Sequence, residues 1–333
     1  GFFFALIAWL LFTDRKISDR FLLYAVVFTG LLFSLSLYTG GGITLLSVIS
    51  GLMKLLIAYW ILKTVGSSFV DTYIKVVVFI AVVSLFGYAS DQFNLFDGLV
   101  RKLPPLGERG YEGIFYMYRD SWHIDRNSSI FFEPGAYQTF LNAALFMLLF
   151  INTSFEIRTK WIYIAILTIT LVTAFSTTGF LIFAVMFPLF LYKSQVLSFN
   201  GKIVVLGLAF AVVGALSTQF HETFVVKVNQ YLTAEEYNTA GSALTRSNDV
   251  RTDLKIFRKH IFGMGYDEYE KEFYSEGRIA EKGGTSTNGV TMTLASMGLP
   301  YSLFLFGSFY WALQRLLGDF LLSSVAFGMV MLF

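Results

Sequence analysis

Apolar and polar residues alternate along this chain in long blocks rather than in the short periods of a soluble domain. Apolar runs near twenty residues long are separated by short polar connections, and such runs predict membrane-spanning helices. By run length there are about ten spans. They lie at 1–12, 21–38, 44–62, 70–89, 134–151, 161–175, 179–192, 203–219, 289–312 and 320–333. The first and last look clipped, as though the chain belonged to a longer protein. The apolar stretch 161–192 is too long for one span. Ser176-Thr177-Thr178-Gly179 interrupts it and predicts a turn between two short helices. With that turn in place, the short connections sort by charge. Arg15, Lys16, Arg20, Lys63, Arg158, Lys160, Lys193, Lys202 and Arg315 fall on one side, and the short connections opposite carry no basic residue. Lys and Arg gather in short cytoplasmic loops, so this side is expected inside.

Two long polar segments, 90–129 and 220–288, then fall on the outer face. The first interleaves aromatics with Arg101, Lys102, Arg109, Arg119, His123, Asp125 and Arg126. The second contains a helical pattern with Val250, Leu254, Phe257 and Ile261 on one face and Arg251, Lys255 and Arg258 in a parallel basic row. That pattern predicts an amphipathic helix ended by Gly263, lying on the outer membrane surface or over a cavity. No repeat or soluble-domain linker appears. The expected architecture is one all-α polytopic membrane domain, 1–333, with about ten or more spans and two large outer loops.

Composition supports the same class: 55% of residues are hydrophobic and 14% charged, with mean hydropathy +0.62. There are no cysteines, which excludes disulfides, thiolate metal sites and a cysteine nucleophile. The three histidines, His123, His221 and His260, form no metal-ligand spacing, and a net charge of +2 gives no case for nucleic acid.

Chemistry concentrates where segment 90–129 meets an apolar run, in Phe131-Phe132-Glu133-Pro134-Gly135. A residue before proline avoids the helical region, and proline suits the first helical position, so Glu133 is expected at the N-cap of a helix starting at Pro134. At about 1.5 Å per residue that helix would run roughly 27 Å, close to a bilayer's hydrocarbon core. Glu133 reads either as a capping carboxylate or as a base, with Phe131 and Phe132 expected to shield it from water. Arg251, with Arg246 and Arg258, reads either as a solvated basic face or as a clamp for phosphate oxygens. Lys54 lies mid-span on a face with Ser47, Gly51 and Ala58, where an ionisable group is expected to face the protein interior. Asp71 and Lys75 read as snorkelling residues near a span end. The turns Ser176–Gly179 and Thr285-Ser286-Thr287-Asn288-Gly289 read as helix caps that could also face an outer cavity. Arg126, Tyr137, Thr287 and Asn288 are secondary candidates for substrate contact.

In this order the motifs resemble the O-antigen polymerase (Wzy-type) and O-antigen ligase superfamily. The resemblance rests on Phe132-Glu133-Pro134-Gly135 opening a span and on the Ser176–Gly179 turn. It also rests on Arg251 ahead of Phe262-Gly263-Met264-Gly265, and on Ser286-Thr287-Asn288 leading into Ala295-Ser296-Met297-Gly298. It covers about 128–300. It implies a GT-C-like, metal-independent glycosyltransferase of the bacterial inner membrane, without cofactor, whose active site faces the periplasm or cell exterior. Its implied substrates are undecaprenyl-diphosphate-linked oligosaccharides, drawn from the lipid bilayer, and a chain-length regulator is an implied partner. The implied reaction is transfer of a growing glycan to a lipid-linked repeat unit. Family ligases carry a histidine near the position of Thr287. Threonine stands there in this chain, which favours polymerase over ligase and makes Glu133 the candidate base. The alternatives are a ligase-type transferase and a transporter or flippase for lipid-linked oligosaccharides. A transporter calls for paired half-repeats and mid-membrane ionisable residues, of which only Lys54 is evident.

Overall fold

The computed structural model describes residues 17–40, 44–193, 242–276 and 286–331, with the side chains of 242–246 outside the description. It is mostly helical. Four segments are long and apolar enough to cross a membrane: Asp19–Tyr38, Leu45–Gln92, Ile157–Ala174 and Gly289–Leu317. The helices are α1 (Asp19–Tyr38), α2 (Leu45–Val65), α3 (Phe69–Gln92), α4 (Asp97–Val100), α5 (Pro134–Phe150), α6 (Ile157–Ala174), α7 (Thr177–Lys193), α8 (Ser242–Lys259), α9 (Tyr266–Glu276), α10 (Gly289–Leu317) and α11 (Phe320–Met331). Eight of the ten expected spans therefore coincide with helices. The other two, 1–12 and 203–219, lie outside the described residues. So do Arg15, Lys16, Lys202 and all of 220–241.

The chain divides into two compact units. The first contains α1, nearly all of α2, α8 from Arg251 onward, α9, and residues 291–307 of α10. Ser18 opens α1 by accepting the Phe21 N–H at 3.2 Å. Phe28, Leu32 and Leu35 of α1 then pack with Val48 of α2 and with Met297, Tyr301 and Phe304 of α10. Gly51 faces Phe28 and Leu32, and a Cβ added there would stand 3.4 Å from each. Lys54 does not face this interior: it is exposed, as are Ser47 and Ala58, so of the small-residue face only Gly51 takes part in the packing. The bulkier Val48 and Leu55 carry the contact instead.

In the same unit α10 is broken at Gly298, whose φ of +80° is not helical. The break docks on the turn after α8. Leu299 N–H donates to Ile261 C=O at 2.8 Å, and Met264 and Gly265 N–H groups donate to Ser296 C=O at 3.1 and 2.9 Å. Gly263, also at positive φ, meets Gly298 so closely that a Cβ on Gly298 would stand 2.2 Å from the Phe262 carbonyl carbon. Only two glycines allow that backbone crossing.

The second unit is built on α3, α5, α6 and α7, with α11. Ile74, Ala81, Tyr137, Leu141, Leu145, Leu167, Ile182 and Met186 are fully buried at its centre. Lipid tails are as apolar as leucine, so within a bilayer close packing and interhelical hydrogen bonds hold helices together. Such bonds are present. Fully buried Asn142 donates to Gln138 Oε1 at 2.8 Å and to Gly179 C=O at 3.3 Å, joining α5 to α7. The expected turn between α6 and α7 is there. α6 ends at Phe175 with φ 45°, and Ser176 Oγ accepts the Gly179 N–H at 3.4 Å. At one end of this unit Asp71 accepts the Ser154 N–H at 3.3 Å and its hydroxyl, and Lys193 pairs with Asp319. Asp71 is thus an anchor for the α5–α6 connection, not a loose snorkelling group. At the other end lies segment 93–133. It contains α4 and a small antiparallel hairpin, β1 (Tyr111–Glu112) with β2 (Met117–Tyr118). The all-α expectation is corrected by that hairpin, which is pinned by Met117 N–H to Ser129 C=O at 3.1 Å.

Candidate functional site

Glu133 occupies the N-cap of α5 with extended backbone (φ −143°, ψ 129°) and Pro134 at the first helical position. Its side chain nevertheless makes no cap hydrogen bond. It is exposed, and it forms no ion pair among the described residues. A Cβ on Gly135 would stand 3.3 Å from Oε1, so the carboxylate lies over the positive end of the helix without closing on it.

The residue before it is strained. Phe132 has φ 58°, rare for a bulky side chain, and the Glu133 N–H donates across it to Phe131 C=O at 2.6 Å. This turn sends successive side chains in different directions. Phe131 stacks inward on Tyr137 and Phe140, with ring centroids 5.2 and 4.5 Å apart. Phe132 faces Arg109, whose guanidinium lies 5.6 Å from its ring and 4.8 Å from Trp122. The expectation that both phenyl rings shield Glu133 is therefore corrected.

Beside this turn, segment 91–126 encloses an open cavity of about 320 Å³, bordered by Asp91, Arg119, Asp120, His123, Asp125 and Arg126 among others. Asp91 accepts the Arg119 backbone N–H at 3.2 Å, and the Arg119 guanidinium reaches Asp97 at 2.5 Å. That hydrogen bond holds the Asp97 carboxyl below its usual range. Arg126 donates to the Phe175 carbonyl. Burial lowers the affinity of Arg126 for its proton, and the Glu133 carboxylate opposes the shift. Burial also lowers the pKa of His123, with Asp120 opposing, so the imidazole is neutral near pH 7. Burial raises the pKa of the Tyr116 phenol, which keeps its proton. Asp120 is 8% exposed. Its Oδ1 accepts the Trp122 N–H at 3.0 Å, whereas Oδ2 has no hydrogen-bond partner among the described residues.

Beneath the cavity, fully buried Asn127 joins three helices. It donates to Ser84 Oγ at 3.2 Å and Thr173 Oγ1 at 3.1 Å, and Ser84 meets the Tyr137 hydroxyl at 2.7 Å. Tyr137 is fully buried in this lock and so does not serve as a substrate contact.

Further along the chain, α8 presents a different face from the expected one. Leu254 is 38% and Ile261 48% exposed, while Asp249, Asp253 and Ile256 are buried. The carboxylates go inside because hydroxyls and an N–H meet them. In the first unit, Asp253 accepts from Tyr269 at 2.6 Å, Ser286 at 2.7 Å and Thr291 at 2.6 Å. In the second, Asp249 accepts the Thr287 N–H at 2.9 Å and its hydroxyl at 2.7 Å, and Asn288 Oδ1 accepts the Val290 N–H at 3.1 Å. Thr287 and Asn288 therefore shape the start of α10. On the outer face of α8, Lys255 and Lys259 pair with Glu276 of α9 and hold its pKa down to about 2. Arg251 and Arg258 are exposed and make no ion pair among the described residues. The Arg246 side chain lies outside them.

The second unit thus brings Glu133, Arg126 and His123 together, and separately Thr287 with Asp249. Arg251 and Arg258 belong to the first unit. Sequence reasoning missed Asn127, whose role depends on contacts distant in sequence, and Asp120, which pairs with Arg109 at 3.6 Å. The described residues define a helical protein with membrane-length apolar segments and a folded polar layer that carries an open glutamate. Comparison with protein-family models, characterised proteins and solved structures finds no match.

Proposed function

We propose that this chain is a polysaccharide repeat-unit polymerase: a metal-independent, GT-C-like glycosyltransferase with about ten or more spans, set in a bacterial inner membrane with its site on the outer face. The observation that carries the reading is Glu133, an exposed carboxylate at a fixed helix start, uncapped and beside Arg126. In this reading a hydroxyl oxygen of a lipid-linked repeat unit attacks the anomeric carbon of the growing glycan, and the hydroxyl proton passes to Glu133. The bond from that carbon to undecaprenyl diphosphate breaks, and the diphosphate leaves with its electron pair. That anion calls for guanidinium donors, which bind phosphate oxygens in a bidentate fork, and this is the role proposed for Arg251, with Arg258 and Arg246.

The test is chain extension by purified protein supplied with a lipid-linked repeat unit. The wild type should give a ladder of longer products. Glu133→Gln should fold normally and extend about 10²–10⁴-fold more slowly. Near-normal extension by a stable variant removes Glu133 from catalysis. Products on a different acceptor would mark a ligase instead.

A further inference from the structure

The exposed residues of α3 fall on one stripe. Val76, Phe79, Val82, Phe86 and Phe93 recur along it at helical spacing, while Ile74, Val77, Ala81 and Ser84 face inward. Since α3 lies in a segment long enough to cross a membrane, such a stripe faces lipid, whose tails are as apolar as leucine. The stripe does not stop where the helix does. Phe93, Leu95, Phe96 and Leu99 carry it into the polar segment, each 42–74% exposed, and the Phe96 ring lies 6.0 Å from that of Phe86. Further back, Phe115 of the hairpin turn sets its ring edge-on, 5.5 Å from Phe79.

These apolar side chains are held outward by folded backbone. Leu95 N–H donates to Ser90 C=O at 2.9 Å and Asn94 N–H to Asp91 C=O at 3.1 Å. Val100 is buried beneath them, and Asp97 accepts from Arg119 at 2.5 Å and from Arg101 at 3.3 Å. In the hairpin turn Gly113 N–H donates to Tyr116 C=O at 3.0 Å, and Ser129 Oγ donates to Phe115 C=O at 3.0 Å. Backbone groups satisfied within the protein are what a segment against lipid requires. Height agrees with this. From Asp71, anchored at the opposite end, to Phe93 the helix rises about 33 Å at about 1.5 Å per residue, against roughly 30 Å for a hydrocarbon core. Phe93 and the residues after it therefore stand at the boundary between acyl chains and headgroups. Arg101 and Lys102, both exposed, follow at once, and cations at that height meet lipid phosphates.

We propose that residues 93–102 form an interfacial foot, with Phe93, Leu95, Phe96 and Leu99 set among the upper acyl chains of the leaflet on this side and Arg101 and Lys102 at the height of its phosphates. Its occupant is phospholipid, because the surface is continuous with the lipid-facing stripe of α3. The foot also fixes the height of the neighbouring cavity, since Asp97 within it holds Arg119 on the cavity border. A lipid-borne substrate would then reach that cavity sideways, at headgroup level. That last consequence rests on the polymerase reading; the foot does not.

The chain has no cysteine, so single cysteines can carry a nitroxide label in the full chain reconstituted into phosphatidylethanolamine–phosphatidylglycerol bilayers. Power-saturation EPR compares collisions with oxygen, which concentrates among acyl chains, and with a nickel chelate, which stays in water. Val82→Cys on the stripe gives the lipid limit, and Glu108→Cys, exposed in the same polar segment, gives the water limit. Labelled Leu99→Cys should show an oxygen-to-nickel collision ratio several-fold above that at Glu108, toward the Val82 value. A ratio equal to that at Glu108 would place Leu99 in water and overturn the foot. Low collision with both reagents would overturn it as well, because protein, from a second copy or from another segment of this chain, would then cover the surface. Should Leu99→Cys not fold, Phe93→Cys takes its place with the same expected and overturning results. No activity enters this measurement, so the foot and the polymerase reading can fail separately.

Discussion

Phe132 holds a left-handed backbone immediately ahead of the candidate base, and such strain costs on the order of 1–3 kcal/mol unless its surroundings enforce it. Phe131, half-buried and stacked on Phe140, on one side and Arg109 against the ring on the other supply that enforcement. Phe132→Gly should relieve the strain while losing the ring contact, leaving the melting temperature close to wild type. Extension should fall about tenfold because Glu133 is no longer held, an expectation scaled to the 1.4 kcal/mol of a tenfold change. Unchanged extension would mean that the turn does not position the carboxylate. His123 gives a pH signature. Its folded pKa lies below the unfolded value of about 6.5, so the unfolded chain binds the proton more readily. Stability should be full above about pH 6.5 and should fall as pH drops through the folded value. His123→Gln should flatten that slope in melts recorded between about pH 5 and 7. Arg251→Ala should weaken donor use roughly tenfold or more, since each hydrogen bond to a charged group is worth about 1.5–3 kcal/mol. Lysine there should restore only part of it, because the planar fork is lost; wild-type donor use by a folded Arg251→Ala would place the clamp elsewhere. At this scale the place of Glu133 was legible because proline acts on its immediate neighbour. Asn127 was not, because its partners come from α3 and α6.

Among the helices, α6 and α7 could be separated from sequence alone, since the Ser176–Gly179 turn carries its own capping chemistry. The buried face of α8 could not. Hydrophobic spacing selected Leu254 and Ile261, but the inside is set by Asp249 and Asp253, and a carboxylate goes inside only where hydroxyls from other segments meet it. The glycines of 262–265 and 295–298 were visible as motifs, yet nothing local revealed that one motif packs on the other. That contact makes a strong prediction. Gly298→Ala would force a Cβ into the Phe262 backbone at positive φ, so it should lose roughly 2–5 kcal/mol, combining overpacking with left-handed strain. Gly30→Ala in α1, with nothing among the described residues within 4 Å of the added carbon, should be neutral or slightly stabilising. Thermal melts of the two variants side by side check this; equal melting temperatures would show that the crossing is loose.

For the whole molecule, the alternation of apolar and polar blocks made the helical membrane class legible. The division into two units was not, because it cuts through α8 and α10 and leaves no linker signal. In the second unit α3 runs from the Asp71–Ser154 anchor to Asp91 beside the cavity, and α5 runs back from Glu133 toward that anchor. Arg158 and Lys160 therefore stand at the end away from segment 93–133, in keeping with the charge sorting. Since the chain has no cysteine, single cysteines test the orientation: Glu108→Cys should react with an impermeant reagent in intact cells, and Glu156→Cys only after lysis. Reversed labelling would turn the proposed site toward the cytoplasm. The break at Gly298 also bears on how the chain enters a bilayer. From Leu299 to Leu317, α10 rises roughly 28 Å, enough to cross the hydrocarbon core without the roughly two and a half turns before the break. The peptide groups at the break find their partners in 261–265, and lipid offers none. These bonds fix where the span begins, so its register in a bilayer is set by the polar segment before it as well as by its own apolar length.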